Sequence, residues 1–305
     1  MKNCMLVLII GIFICSCANQ KRIAHAKSSV ESSKKIISES ATTLEAIGEK
    51  IEQKKQGESV DSSIHNKFED VLNALKKNLE EAGKSVKAVE FFLEKRSNFN
   101  KSKYNEALKS HLQQLDSFKL SEARRDRIYE LLSEAVKAKS FEKYGLGAFF
   151  DPGVYEISPS ASKLVARSFA PAIDSMAALS NRFADVKRGV QLVIVGYADA
   201  SPIGRGTALY AKLKNYLKLE NPGKEKLNMA LSDLRAASLL SNLENIMKTY
   251  ASKFANYDQL TIGSVSYGRG EAVPFKNITD YSDNDERRRV VVFYWAILPD
   301  LEGLN

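Results

Sequence analysis

From Ile23 onward, apolar residues return at every seventh position, at Ile23, Val30, Ile37, Leu44 and Ile51, with Ala26 and Ile47 on adjoining positions. Such a repeat places its side chains on one narrow stripe, so the spacing predicts a single helix with a coiled-coil seam. Over residues 23–54 that helix would be about 48 Å long at 1.5 Å per residue. The polar run Gln56-Gly57-Glu58-Ser59 interrupts it with turn chemistry, and Asp61 or Ser62 offers a side-chain oxygen to cap the next helix. The second helix carries Phe68, Leu75, Ala82 and Val89 on one heptad position and Leu72, Leu79, Val86 and Leu93 on the other. Its seam is apolar throughout and requires a partner helix. Residues 97–102 read as a loop. Tyr104, Leu108, Leu112 and Leu115 restore helical spacing until Ser117, and another helix opens near Ser121 with Ile128, Leu131, Leu132, Ala135 and Val136. No proline occurs before residue 152. Short loops between amphipathic helices favour antiparallel packing, so residues 22–140 are expected to form a helical bundle or a long helical hairpin.

At Tyr144 the periodicity changes. Gly145, Gly147, Pro152 and Gly153 break helicity, and strand-like runs begin to alternate with helices. Leu146 to Phe150 reads as a first strand. Ser158-Pro159 pairs an N-cap with proline at the first helical position, opening a helix through Leu164, Val165, Phe169, Ile173, Met176 and Leu179, which Pro171 is expected to kink or split. Val190 to Tyr197 is a β-branched strand, Leu227 to Tyr250 an amphipathic helix, and Leu260 to Tyr267 and Arg289 to Ile297 two further strands. The order βαβαββ predicts an α+β architecture, with helices packed on one face of a sheet.

Composition narrows the function. The chain has 305 residues, is 44% hydrophobic and carries a formal net charge of +8. Its basic residues are interleaved with acidic ones along helices, which does not indicate a nucleic-acid footprint. His25, His65 and His111 all fall in helix-like polar sequence in the first half of the chain and read as surface or bundle-flank residues, so no metal site is expected. No histidine follows residue 111, so the C-terminal half lacks the parts of a Ser-His-Asp or Cys-His nucleophile. Neither enzymatic activity nor a cofactor is expected.

The N-terminus sets an expectation about location. Lys2 precedes an apolar stretch from Met5 to Ile14, about half the length of a membrane span, which reads as a secretory leader. Ile14-Cys15-Ser16-Cys17 resembles a bacterial lipoprotein lipobox. The resemblance implies that residues 1–16 are removed and that Cys17 is acylated with fatty chains such as palmitate. Cys17 would then be the single cysteine of the mature chain, with nothing to pair with. Two or more acyl chains hold a protein stably on a bilayer. Residues 17–21 would form a tether and the protein would be held at the outer membrane facing the periplasm.

Three segments carry a second resemblance. Val195-Gly196-Tyr197-Ala198-Asp199 lies at a strand end. Asn228-Met229-Ala230-Leu231-Ser232-Asp233-Leu234-Arg235-Ala236 lies in a helix. Tyr267-Gly268-Arg269-Gly270-Glu271, with Pro274 after it, leads on to Arg287-Arg288-Arg289-Val290. Together, and in this order over residues 145–298, they resemble the OmpA-like peptidoglycan-binding domain. That resemblance implies recognition of diaminopimelate in the peptidoglycan stem peptide by Asp199, Asn228, Arg235 and Arg288. Such a ligand presents both ammonium and carboxylate groups, which calls for an acid and for guanidinium forks. A helix start near Asn228 would add free backbone donors. The alternative for Asp199 and Arg235 is an internal ion pair that orders the domain. Strand alternation would send Arg288 to the face opposite Arg287 and Arg289.

Two features depart from the family pattern. About 20 additional residues separate Asp199 from Asn228, and Tyr210, Leu213, Tyr216, Leu217 and Leu219 among them suggest an extra amphipathic helix ended by Asn221-Pro222-Gly223. Arg287 stands where the family commonly has asparagine. The expectation that results is a lipoprotein linking membrane to cell wall, with a C-terminal tail at 299–305. The alternative is an adaptor whose helices recruit an envelope protein complex.

Overall fold

The computed structural model describes residues 2–56, 61–94, 102–138, 144–146, 150–275 and 278–301, with only the backbone described for 2–19, 102–105 and 144–146. Of the predicted loop at 97–102 and the predicted turn at 56–59, residues 97–101 and 57–59 lie outside the described residues, whereas Gln56 ends the first helix and Ser102 opens the third. Four helices come first, α1 (Lys2–Gln56), α2 (Ser62–Glu94), α3 (Ser102–Leu120) and α4 (Glu122–Lys137). They are followed by β1 (Tyr144–Leu146), α5 (Pro159–Arg182), β2 (Arg188–Gly196), α6 (Ala208–Leu217), α7 (Lys224–Thr249), β3 (Thr261–Gly268) and β4 (Val291–Pro299). The chain is α+β, with helices first and a sheet after them, as the hydrophobic periodicity predicts.

The chain divides into two compact units. One comprises residues 1–49, 69–129 and 301–305; the other comprises 50–68 and 130–300. In the first, the heptad positions do what their spacing requires. Ala26 and Val30 of α1, Val86, Val89 and Phe92 of α2, and Leu108 and Leu115 of α3 form one buried cluster. Asp61 caps α2, its carboxylate accepting from the Ser63 amide at 2.8 Å and its carbonyl from the His65 amide at 3.0 Å. Asn and Asp lead at this position because their side-chain oxygens satisfy an amide that the helix leaves unpaired.

The second unit is built on a four-stranded sheet in the order β1-β4-β2-β3. β2 runs parallel to β3 and antiparallel to β4, and β1 is antiparallel to β4. β2 and β4 are central and nearly continuously buried, which explains their unbroken Val, Ile, Phe and Trp runs. α7 crosses β2 and β3 at a point where the register pairs Gly196 with Gly268. A Cβ at Gly196 would lie 2.1 Å from the Ser232 carbonyl oxygen, and one at Gly268 would lie 2.1 Å from Ser232 Oγ. The two glycines therefore set how closely the helix can approach the sheet.

Four expectations need correction. The first strand is Tyr144–Leu146 and not 146–150; Phe150 is a buried bend residue, and 147–149 lie outside the described residues. α5 runs unbroken through Pro171. Pro171 sits on the exposed face, where water can reach the carbonyl its ring leaves without a donor. α7 begins at Lys224, so Asn228 lies more than one turn inside the helix and not at its start. Finally, β4 begins at Val291, and Glu286–Arg288 form a 3-10 turn capped by Asp285, whose carboxylate accepts from the Arg287 amide. Arg287, Arg288 and Arg289 are thus not strand residues, and strand alternation does not sort their faces.

Candidate ligand-binding site

The end of β2 turns into Tyr197-Ala198-Asp199-Ala200-Ser201, and three segments are stitched to it. The Tyr197 amide donates to the Val290 carbonyl at 3.0 Å, Ala198 to Gly270 at 2.8 Å and Ala200 to Asp283 at 2.6 Å. These bonds bring together Asp199, the 268–271 loop and the 280–289 strap, and Asn228 of α7 joins them through its bond to the Ser201 carbonyl.

The sequence-predicted residues then take different parts. Arg235 is 1% exposed, and its guanidinium is engaged by protein carbonyls. Nε donates to Val154 at 2.9 Å, one terminal nitrogen to Tyr197 at 3.1 Å and the other to Asp151 at 3.3 Å, with the group 5.4 Å from the centre of the Phe150 ring. Burial pulls its pKa down to about 10, with the nearby Asp199 charge opposing, so it stays cationic at neutral pH. The structure does not bring Arg235 and Asp199 into a salt bridge, and it does not leave the Arg235 fork open to a ligand. Arg235 ties the 151–154 segment to the end of β2.

Asp199 pairs with Arg289, which the sequence pattern had set aside. One carboxylate oxygen accepts from Arg289 at 2.9 Å, the other from the Ser201 amide at 3.1 Å, and the two side chains are 11% and 13% exposed. Burial pushes the Asp199 carboxyl up, but the Arg289 guanidinium and the Ser201 amide outweigh it and hold the pKa below the ordinary range. Asn228, 1% exposed, donates to the Ser201 carbonyl at 3.2 Å and to Glu271 Oε1 at 2.8 Å. The other oxygen of Glu271 lies 3.4 Å from Lys224 Nζ, which also donates to the Ala200 carbonyl at 3.0 Å.

Arg288 comes from the same strap. It donates to the Glu271 and Ser282 carbonyls, and its nearest acid is Asp283 at 4.0 Å. The Nε–H groups of Arg288 and of Arg289 are both buried and have no acceptor among the described residues. Buried donors in folded proteins are almost always matched, by protein groups or by ordered water, so each of these two N–H groups is a donor with unfilled capacity. Arg287 is exposed and held by Asp285 and Asp280.

Glu271, Lys224 and Arg289 were not among the predicted site residues. Glu271 and Arg289 stand inside the quoted motifs, but only the fold shows that they meet Asn228 and Asp199. The inserted segment is also resolved. Thr207 caps α6, and Lys218 ends it in the left-handed conformation, before Asn221-Pro222-Gly223 is reached. Its Tyr210 and Leu213 pack with Ala198 and with Leu227, Ala230 and Leu231 of α7. The insertion is therefore part of the unit's core and buttresses the segment that carries Asp199. An open pocket of about 440 Å³ lies at the α6–α7 connection, lined by Leu219, Glu220, Asn221, Gly223, Lys224, Glu225 and Lys226, and shares Lys224 with the cluster.

No family model matches the chain, and no curated protein does. Among solved structures, the OmpA-like domain of FopA1 from Francisella tularensis subsp. tularensis SCHU S4 is similar at 13% identity, with 52% of this chain and 73% of that chain covered and a TM-score of 0.24. A likeness of that size assigns neither a fold family nor a ligand.

Proposed function

We propose that the sheet unit binds the stem peptide of peptidoglycan through the diaminopimelate residue, and so links the protein noncovalently to the cell wall. The observation that supports this reading most strongly is the half-buried Asp199–Arg289 pair, together with the Nε–H groups of Arg289 and of its neighbour Arg288, which lack acceptors among the described residues. A zwitterionic amino acid matches such a cluster. Its ammonium group would take the unused lone pairs of Asp199, and its carboxylate would accept from Arg288 and Arg289. Asn228, Glu271 and Lys224 hold the rim in place, and Arg235 fixes the backbone behind it. The roles differ from those the motif resemblance implies, because Arg289 takes the part expected of Arg235.

Hydrogen bonds to charged groups contribute about 1.5 to 3 kcal/mol each. A few of them suffice for micromolar binding of one stem peptide, near about −8 kcal/mol. A polymer with many copies then adds avidity. In the same reading, Cys17 is acylated, the protein is anchored in the outer membrane facing the periplasm, and the helices serve as spacer; the lipobox-like run Ile14-Cys15-Ser16-Cys17 supports this part.

Co-sedimentation with purified peptidoglycan tests the site. The wild type is expected in the pellet and to be released by free diaminopimelate, with Asp199→Asn and Arg289→Gln remaining in the supernatant while retaining native circular dichroism. Pelleting of both variants at the wild-type level would refute the assignment. Labelling of the full chain with radioactive palmitate, lost in Cys17→Ser, tests the anchor.

A further inference from the structure

The 267–271 segment, which delivers Glu271 to the site, has a second attachment at its other end. Tyr267 donates its hydroxyl to a carboxylate oxygen of Asp61, and Arg269 lies 3.6 Å from that same oxygen. Arg269 also approaches the Tyr267 hydroxyl at 3.4 Å, and its guanidinium lies 5.8 Å from the centre of the Tyr267 ring. Asp61 is the N-cap of α2, and its side chain is 1% exposed. Burial, and then the Asp61 carboxylate, push the Tyr267 hydroxyl up to about 12, so it remains a protonated donor across the physiological range.

Between these two attachments the segment has little slack. The Gly268 amide donates to Asp233, the Arg269 amide to the Gly196 carbonyl at 2.9 Å, and the Gly270 amide to Ser232 Oγ at 2.9 Å. Gly270 adopts φ +54°, a conformation that favours glycine, and its carbonyl accepts from Ala198, next to Asp199. Glu271 then reaches Asn228. A displacement at Tyr267 would therefore be felt four residues later at the site, through backbone bonds fixed on both sides.

We propose that Asp61 couples the first turn of α2 to the wall-binding site, so that a ligand held at Asp199 strengthens the Asp61–Tyr267 contact and loss of that contact weakens ligand binding. The inference rests on the wall-binding reading given above. By linkage the effect is reciprocal, and couplings of this kind amount to fivefold or more in affinity. Asp61 and Tyr267 act as positioning residues, since neither is placed at the ligand.

The test uses the full chain and a soluble muropeptide carrying diaminopimelate, with affinity and amide hydrogen exchange measured together. In the wild type, saturating muropeptide is expected to slow exchange of the Ser63 and His65 amides by about fivefold. Tyr267→Phe removes only the hydroxyl, and Asp61→Asn keeps a good N-cap while removing the charge. Both variants are expected to bind about fivefold more weakly, and the slowing at Ser63 and His65 is expected to vanish. Wild-type binding without slowing, or variants that bind as tightly as the wild type, would overturn the coupling and leave the wall-binding reading intact. A wild type that fails to bind the muropeptide would overturn that reading and the coupling together. Should Asp61→Asn fail to fold, Tyr267→Phe decides the matter.

Discussion

The crossing of α7 over the sheet and the 280–289 strap converge on the same strand end, yet they use their arginines in opposite ways. At the crossing, Arg235 is engaged by the carbonyls of Val154, Tyr197 and Asp151, so its charge serves the backbone. In the strap, Arg288 is also buried and Arg289 half-buried, but each keeps a buried Nε–H without an acceptor among the described residues, and Arg289 faces a carboxylate. Two guanidinium environments at the end of β2 thus divide into a strut and, in the proposed function, a binding element. The difference lies in what surrounds each group: carbonyls close off one fork, and an acid with spare lone pairs leaves the other incomplete.

The largest effects should come from the crossing. Gly196→Ala forces a Cβ against the Ser232 carbonyl, a backbone obstacle that cannot rotate away, and is expected to cost more than about 3 kcal/mol in chemical denaturation. A loss under 1 kcal/mol would mean that α7 is not held where the structure puts it. Arg235→Met should follow at about 3 kcal/mol, because buried carbonyls lose their donor. If Arg235→Met instead stays fully stable and loses only wall binding, the division between strut and binding element is wrong.

The strap should respond in the reverse sense. Arg289→Gln is expected to cost about 2 kcal/mol in stability, for one charged hydrogen bond, and to abolish co-sedimentation with peptidoglycan. A variant that still pellets with the wall would place the ligand elsewhere and remove the contrast with Arg235.

These outcomes also show how far the chain could be read before its fold was known. The helices were legible because their information is periodic and local. The seven-residue repeat from Ile23 to Ile51, the cap at Asp61 and the Ser158-Pro159 helix start all act within a few residues of themselves. Even the inserted helix declared itself through Tyr210 and Leu213, which turn out to pack with Ala198 and α7. The partners of the arginines were not legible. Arg235 meets Asp151 across 84 residues and Arg289 meets Asp199 across 90, and no spacing rule connects such positions. The strap misled for a second reason: Asp285 caps a 3-10 turn over Glu286–Arg288, and that local bond delays the strand to Val291, so alternation was applied to residues that do not alternate.

The smallest expected effect concerns pH, and it separates the two regions without any substitution. In the strap, the Arg287 guanidinium is the main reason that the Asp285 carboxyl lies at about 2, and Asp199 is also held below the ordinary range. A carboxyl whose pKa is depressed in the folded state contributes stability that is fully present above its unfolded value, near about 3.9, and is lost as the pH falls through the folded one. The strap should therefore begin to loosen below about pH 4 and lose its Asp285–Arg287 contact by about pH 2. The Arg235 acceptors are carbonyls, which do not titrate in this window, so the contacts that fix the crossing have no reason to weaken with them. Amide exchange in an acid titration should show protection at 287–289 failing before protection at 232–236. Simultaneous failure of both would mean that strap and crossing form one cooperative element, and the contrast between the two arginines would then reflect only where each side chain ends and not a division of labour.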